Sequence, residues 1–332
     1  MNRPLFFLGF LASATALAQQ DYNTAYRALP IWPQDDIIQR EWDEQYVFLD
    51  PDAGQMILAY PSNLGRPDFE QAPGAYRIER FDLNNQVDAS LSVDVQRSGP
   101  NFTYTYGVSN SAQAKKAIRS VRIPATMFGD EDTIFGPAQW GAAASPSRIN
   151  AVRMAIGKPD GVLLAWYAND PRSVDDPDAS AILPGGELGG FRVTSRLKPG
   201  LTLAYVQGGI RPGIRGDMPR SVIEQTIPVM QVEFNSQNVV TIGPKFDAEA
   251  PRMEIVEDFH HGIGRMVDAG QLSGSSPAVR QALHVLEQCL ETAGETGNGA
   301  SAACGIDSAF DAQPEPGVES DILNAMRLSL TE

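Results

Sequence analysis

Two cysteines and three histidines in 332 residues leave little material for several kinds of chemistry. The thiols, Cys289 and Cys304, can make one disulfide between them. The histidines are His260, His261 and His284. Adjacent residues on a helix point about 100° apart, so His260 and His261 cannot chelate one metal as an i, i+4 pair does. A Ser-His-Asp triad would have to draw its base from this C-terminal region, yet the chain lacks a Gly-x-Ser-x-Gly nucleophile elbow. A nucleophilic hydrolase is therefore disfavoured. Positive charge is short as well. Lysine occurs only as Lys115, Lys116, Lys158, Lys198 and Lys245, and 26 basic against 41 acidic residues give a net charge of −15. Nucleic acids and anionic lipid surfaces both require basic patches, so neither is an expected partner. Finally, no apolar run reaches the ~20 residues of a membrane helix, and no membrane span is expected.

What the chain does have begins at its N-terminus. Arg3 precedes an apolar run from Leu5 to Leu11, followed by small residues ending in Ala16-Leu17-Ala18. This is the pattern of a secretory signal peptide over residues 1–18. Removing it takes Arg3 with it and makes the net charge −16. A secreted or periplasmic location is expected, and residues 19–44, with Pro30 and Pro33, form an extended leading segment.

Residues 45–210 read as strands. Gln45 to Leu49 and Met56 to Tyr60 flank Asp50-Pro51-Asp52-Ala53-Gly54, whose residues supply turn chemistry for a hairpin. From Val87 to Val95 every odd position is apolar and every even one polar, the period of a half-buried strand. After Ser98-Gly99-Pro100 the same alternation resumes from Phe102 to Val108, as an antiparallel neighbour. Further strands are expected at 118–123, 151–156, 162–167, 191–197 and 201–206, between Gly, Pro, Asn and Asp clusters. Val162 to Tyr167 is apolar on both faces, which suits a strand covered on both sides, with Trp166 in the core. Short strands without helical periods between them indicate a sandwich rather than a parallel α/β sheet. Residues 211–251 connect this region to the tail through a short helix at 221–225 and a strand at 239–242.

After Arg252 the rhythm changes. Ile255, Phe259, Ile263 and Met266 are spaced four, four and three apart, the stripe of an amphipathic helix ending near Gly270. Ser276 and Pro277 form an N-cap and first-turn pair before Val279, Leu283, Leu286 and Leu290. A third helix at 302–312 and a fourth at 321–330 complete a small bundle over residues 252–332. Cys289 and Cys304 flank the turn at 295–299, so a helical hairpin would bring them together. A disulfide is expected in an exported protein, contributing ~3 kcal/mol in the chain-entropy model. A free or metal-bound pair is the alternative.

Two resemblances follow from these segments. Phe102 to Asn110, Trp166-Tyr167, the run from Ile182 to Phe191, and Pro199-Gly200 together resemble an immunoglobulin-like β-sandwich of uncharacterised exported bacterial proteins. The region from Ile255, with Asp268 to Ser273, Gly297-Asn298, Ala302-Ala303 and Ala309-Phe310, resembles the helical FIMAH module appended to secreted and surface proteins. The resemblance implies an accessory role, although the cysteines and His260-His261-Gly262 interrupt the usual pattern.

Candidate sites are few. Asp175, Asp176 and Asp178 lie in a long loop tethered by strands and can hold calcium, which takes carboxylate and carbonyl oxygens from flexible loops. Asp130-Glu131-Asp132 is a second such cluster. Neither has EF-hand spacing, and a solvated turn is the alternative for both. Trp140 in Pro137-Ala138-Gln139-Trp140-Gly141 is the tryptophan expected in an exposed loop and hence a candidate binding residue, with packing over the sandwich end as the other reading. The Gly-rich run 185–190 leads into a strand, unlike a phosphate loop that opens a helix. A glycosidase needs two carboxylates ~5 to 10 Å apart, and the sequence singles out no such pair.

The fold class expected is mainly β, an antiparallel β-sandwich followed by a small C-terminal α-helical bundle. The function expected is an exported, non-enzymatic binding or cell-surface interaction protein with an unknown extracellular ligand. It requires no cofactor, with calcium the ion its loops can accept. The alternatives are a carboxylate-based hydrolase acting on an extracellular polymer and a structural component of the envelope.

Overall fold

A computed structural model describes residues 45–50, 52–61, 64, 76–83, 85–146, 161–168, 180–208, 218–229, 236–268, 270–296 and 317–330. Residues 1–44, and with them the leader, lie outside that description, as do the strand expected at 151–156 and the helix expected at 302–312. The described chain is mostly antiparallel β-sheet and divides into two compact units, residues 1–86 with 207–237 and residues 87–206 with 238–332.

The first unit is a three-stranded meander of β1 (Val47–Asp50), β2 (Gln55–Pro61) and β3 (Tyr76–Asp82) with helix α1 (Arg220–Val229). Its β1–β2 turn is the one the sequence suggests. Asp50 Oδ1 accepts the Ala53 amide at 3.0 Å, and Gly54 takes a φ of +63°. A Cβ on Gly54 would collide with the Gln86 side chain, whose amide donates to the Gly54 carbonyl at 2.7 Å. Tyr46, Val47, Met56, Leu58, Tyr60, Met218 and Val222 form a core belonging to this unit. The expected sandwich boundary at residue 45 places these strands with those from 89 onward, whereas they pack with the segment after 207. A two-residue period identifies a strand without identifying its partner.

The second unit carries two sheets, ordered β4-β5-β10-β7 and β12-β11-β6-β9-β8. The first contains β4 (Ala89–Ser98), β5 (Asn101–Asn110), β7 (Thr133–Phe135) and β10 (Glu187–Ser195); the second contains β6 (Ile118–Ala125), β8 (Trp140–Pro146), β9 (Val162–Ala168), β11 (Lys198–Gly208) and β12 (Gln237–Phe246). Strict alternation makes β4 and β5 a regular hairpin, with Ser98 opposite Asn101. Gly99 has a φ of +60° at the first central position of the turn, the type II′ requirement, and Pro100 follows it. Inward residues of both sheets share one core, in which Trp166 contacts Tyr106 and Phe191 with ring centroids 5.9 Å away in each case. The polar ends of three aromatic side chains of this core are satisfied. Tyr104 donates to the Leu197 carbonyl at 2.6 Å, Tyr106 to Ile242 at 3.0 Å, and the Trp166 indole to Phe135 at 2.8 Å. Burial pushes both tyrosine hydroxyls well above the usual phenol range.

Helices α2 (Arg252–Asp268), α3 (Pro277–Thr296) and α4 (Val318–Leu330) belong to this same unit. The expected stripe of Ile255, Phe259, Ile263 and Met266 is buried, in a core that the three helices share with the sheets, and α2 packs against both α3 and α4. An amphipathic helix buries one face only, and here the neighbouring helices and strand β11 together supply the other side. Gly262 lets α2 approach closely, since a Cβ there would collide with the Leu201 side chain. Beside it, the Asp258 carboxylate accepts the Leu201 amide at 2.9 Å and meets Lys245 Nζ at 2.5 Å, while Lys245 donates to the Leu201 carbonyl at 2.8 Å. Thus one ion pair satisfies both backbone groups of Leu201. The end of α2 is a Schellman cap, with Gly270 at φ +70°, Gln271 N–H bonded to Met266 C=O at 2.8 Å and Gly270 N–H to Val267 C=O at 3.0 Å.

Helix α4 lies against β4, the outer strand of its sheet. Asp321 Oδ2 accepts the Val93 amide at 3.0 Å, and Asn324 Nδ2 donates to the Val95 carbonyl at 3.2 Å. These bonds occupy backbone groups that an edge strand otherwise leaves open to pairing.

Candidate functional site

The sequence-derived candidates fare differently. Trp140 requires a correction, since it opens β8 and is 6% exposed rather than standing in an exposed loop. The cause lies one residue earlier. Gln139 adopts a left-handed φ of +67°, Trp140 N–H bonds to Pro137 C=O at 3.0 Å, and this tight reversal pairs Trp140 with Ala168. Its ring meets Phe191 edge-on at 5.0 Å, and its indole N–H donates to the Ser180 carbonyl at 2.8 Å. Packing over the strand ends, the other reading of this residue, describes its surroundings. Asp175, Asp176 and Asp178 lie outside the described residues, and so does Cys304; Cys289 is buried on α3. Among the described residues, no three His, Cys, Asp or Glu side chains converge in a way that could hold a metal ion.

In the second acidic cluster, two residues have structural partners. Asp132 Oδ2 accepts the Gly129 amide at 2.7 Å, and Glu131 pairs with Arg196. On α2 the rings of His260 and His261 lie 5.6 Å apart. Burial first, and the His261 charge second, hold the His260 imidazole below its ordinary range, with Glu287 pulling it back up.

The most distinctive exposed surface is the outward face of the β4-β5-β10-β7 sheet, built by strand register. Alternation on β4 turns Ser90, Ser92, Asp94 and Gln96 outward while Leu91, Val93 and Val95 are buried. On β10, Gly190 at φ +92° sits in a bulge between Gly189 and Phe191. The extra residue re-phases the strand, so Glu187 and Gly189 before it face the same side as Arg192 and Thr194 after it. Cross-strand rows result. Gln96, Thr103, Thr194 and Thr133 form one row, and Asp94, Thr105, Arg192 and Phe135 the next. Ser92, Gly107 and Gly189 make a third row, nearly bare of side chains, and Ser90, Ser109 and Glu187 a fourth. Hydroxyls meet across strands, Ser90 with Ser109 at 2.7 Å and Thr103 with Thr194 at 3.3 Å. Phe135 is 49% exposed, and the Arg192 guanidinium lies over its ring at 4.9 Å, a cation–π contact that holds both side chains in place.

This surface went unread in the sequence because Thr133-Ile134-Phe135 inverts the usual rule, with the isoleucine half-buried and the phenylalanine exposed. The alternation of β4 and β5 marks their core side, while the make-up of the side turned to water depends on which strands lie beside them.

No protein-family model matches the chain, and no curated protein matches it. Among solved structures, an uncharacterized protein from Nocardia farcinica, described as having an immunoglobulin-like fold, is similar at 12% identity over 48% of this chain and 98% of its own, with a TM-score of 0.23. No helix among the described residues is long and apolar enough to cross a membrane.

Proposed function

We propose that this is an exported, non-enzymatic binding protein that meets an extracellular ligand or surface component through the outward face of the β4-β5-β10-β7 sheet. In this reading residues 1–18 direct export and are removed, the product is secreted or periplasmic, and the two sheets of the second unit are layers of an immunoglobulin-like β-sandwich. Cys289 and Cys304 are bonded in the oxidising compartment. The observation that carries the reading is the juxtaposition on one exposed face of cross-strand hydroxyls with the Phe135–Arg192 pair. Aromatic and arginine side chains are the types over-represented where proteins bind.

The test is expression of the full chain in a bacterium, with fractionation, intact-mass measurement and sedimentation with an envelope preparation. The expected product lacks residues 1–18, carries one disulfide by thiol titration, and co-sediments in a manner weakened by Phe135→Ala. An unprocessed cytoplasmic product, or a processed one that never co-sediments, would overturn the proposal.

A further inference from the structure

The ligand class can be narrowed from the same face, and this step rests on the binding function just proposed. The third row is a shallow depression across three strands. Among the described residues, Gly189 has nothing within 4 Å of where a Cβ would be, and at Gly107 the Ser92 hydroxyl alone comes near, at 2.7 Å. One wall carries Asp94, Thr105 and Arg192, and the other Ser109 and Glu187. Phe135 stands at the β7 end of the first wall. Neighbouring strands are ~4.8 Å apart, so the depression offers hydrogen-bonding groups at regular intervals along a line crossing the strands.

Charge decides among polymers. Asp94 and Arg192 flank Thr105 in one row and offset each other, which leaves Glu187 as the one uncompensated charge of these rows on a chain whose net charge is −15. The field of the whole molecule repels polyanions, and the face offers a polycation only Asp94 and Glu187. What fits is an uncharged, extended polymer that presents alternating hydroxyls and apolar C–H faces. The hydroxyls suit Asp94, Arg192 and Glu187, since hydrogen bonds to charged partners are the stronger ones. The C–H face suits the exposed ring of Phe135, an apolar platform held by Arg192. We infer that the outward face of the β4-β5-β10-β7 sheet binds a neutral glycan chain, lying across the strands in the Gly107–Gly189 depression with one sugar against Phe135.

The experiment is a pull-down of the full, processed protein on microcrystalline cellulose, on chitin and on insoluble xylan. Chitosan and polygalacturonate serve as charged controls, and affinity electrophoresis in soluble mixed-linkage glucan supplies a second readout. Retention by at least one neutral polymer is expected, with affinity falling tenfold or more in Phe135→Ala and in Gly107→Leu, which fills the depression. Glu291→Gln, exposed on α3 and outside these rows, should bind as the parent does. Circular dichroism checks that each variant is folded, and Thr105→Val provides a shape-conserving alternative for Gly107→Leu. Retention only by a charged control, retention unaffected by all face substitutions, or no retention by any polymer would overturn the glycan assignment. Should the protein still co-sediment with envelope in a Phe135-dependent way, the broader binding function would survive while the glycan class would not.

Discussion

Removing the Asp258 carboxylate should be among the most damaging single changes outside the large apolar core. Its two oxygens hold the Leu201 amide at 2.9 Å and the Lys245 ammonium at 2.5 Å, and the two side chains of the pair are 13% and 11% exposed. Asp258→Ala leaves an ammonium with the Leu201 carbonyl and, 5.7 Å away, the Phe246 ring, but no counter-charge, together with a backbone N–H that has lost its acceptor. Breaking a buried pair from one side costs ~3 to 5 kcal/mol, and the residual exposure of this one points to the lower figure, about 3 kcal/mol. For a protein of this size each kcal/mol shifts Tm by about 2–4 °C, so a fall of roughly 6–12 °C is expected. Urea titration followed by tryptophan fluorescence should show the midpoint falling at constant slope. In Asp258→Asn an amide oxygen still accepts from Leu201, and the loss should be about half. Lys245→Met combined with Asp258→Ala should cost less than the two single changes summed, by about 2 kcal/mol, which a double-mutant cycle measures. A loss below ~1 kcal/mol for Asp258→Ala would refute the reasoning, because that is the scale of a solvent-screened surface pair.

Other predictions concern proton binding and backbone strain. Burial raises the Asp321 carboxyl above its usual range, the Val93 N–H opposes this, and Asp94 raises it further. The folded state therefore holds the proton more tightly than the unfolded one, and stability is gained as pH falls through the raised value toward 3.8. Asp321→Asn, which keeps an acceptor for Val93, should be at least as stable as the parent at neutral pH and lose that acid-side gain, as denaturation at several pH values will report. His260 behaves oppositely. Its folded value is lowered, so stability present above 6.5 is lost as pH falls through 6.5 toward the lower folded value, and His260→Gln should flatten that slope. Gln139→Gly should raise stability by about 0.5 to 1 kcal/mol by relieving the left-handed φ of +67°, a gain visible as a higher Tm.

Legibility of the fold followed periodicity. The strands at Val87 and Phe102 are written in a period of two, the strand around Trp166 in a short run apolar on both faces and the helix through Phe259 in a four-and-three rhythm, and each is present in the structure. Elements with weak or inverted patterns were missed. Tyr76–Asp82 breaks its alternation at Arg80-Phe81 along β3, and Thr133–Phe135 is three residues long and wears its phenylalanine outward. Packing partners were harder still. The stripe of Ile255, Phe259 and Ile263 announces that a helix needs an apolar surface, but whether that surface is another helix or a sheet depends on residues such as Leu201 and Gly262, which only coordinates bring together. For the candidate site, a single left-handed residue, Gln139, moved Trp140 from the expected loop into the core. The exposed rows, for their part, exist only once register and the Gly190 bulge are known.

That α2 and α4 are bolted to strands has a bearing on ancestry. Modules that travel between genes do so because each brings a finished interior and needs nothing from its host. Here Lys245, Asp258 and Leu201 must be inherited as a set, and so must Asp321 with the strand 228 positions before it in the chain. A cut near residue 251 would strip the Leu201 and Val93 amides of their carboxylate acceptors, so neither fragment carries a finished surface of its own.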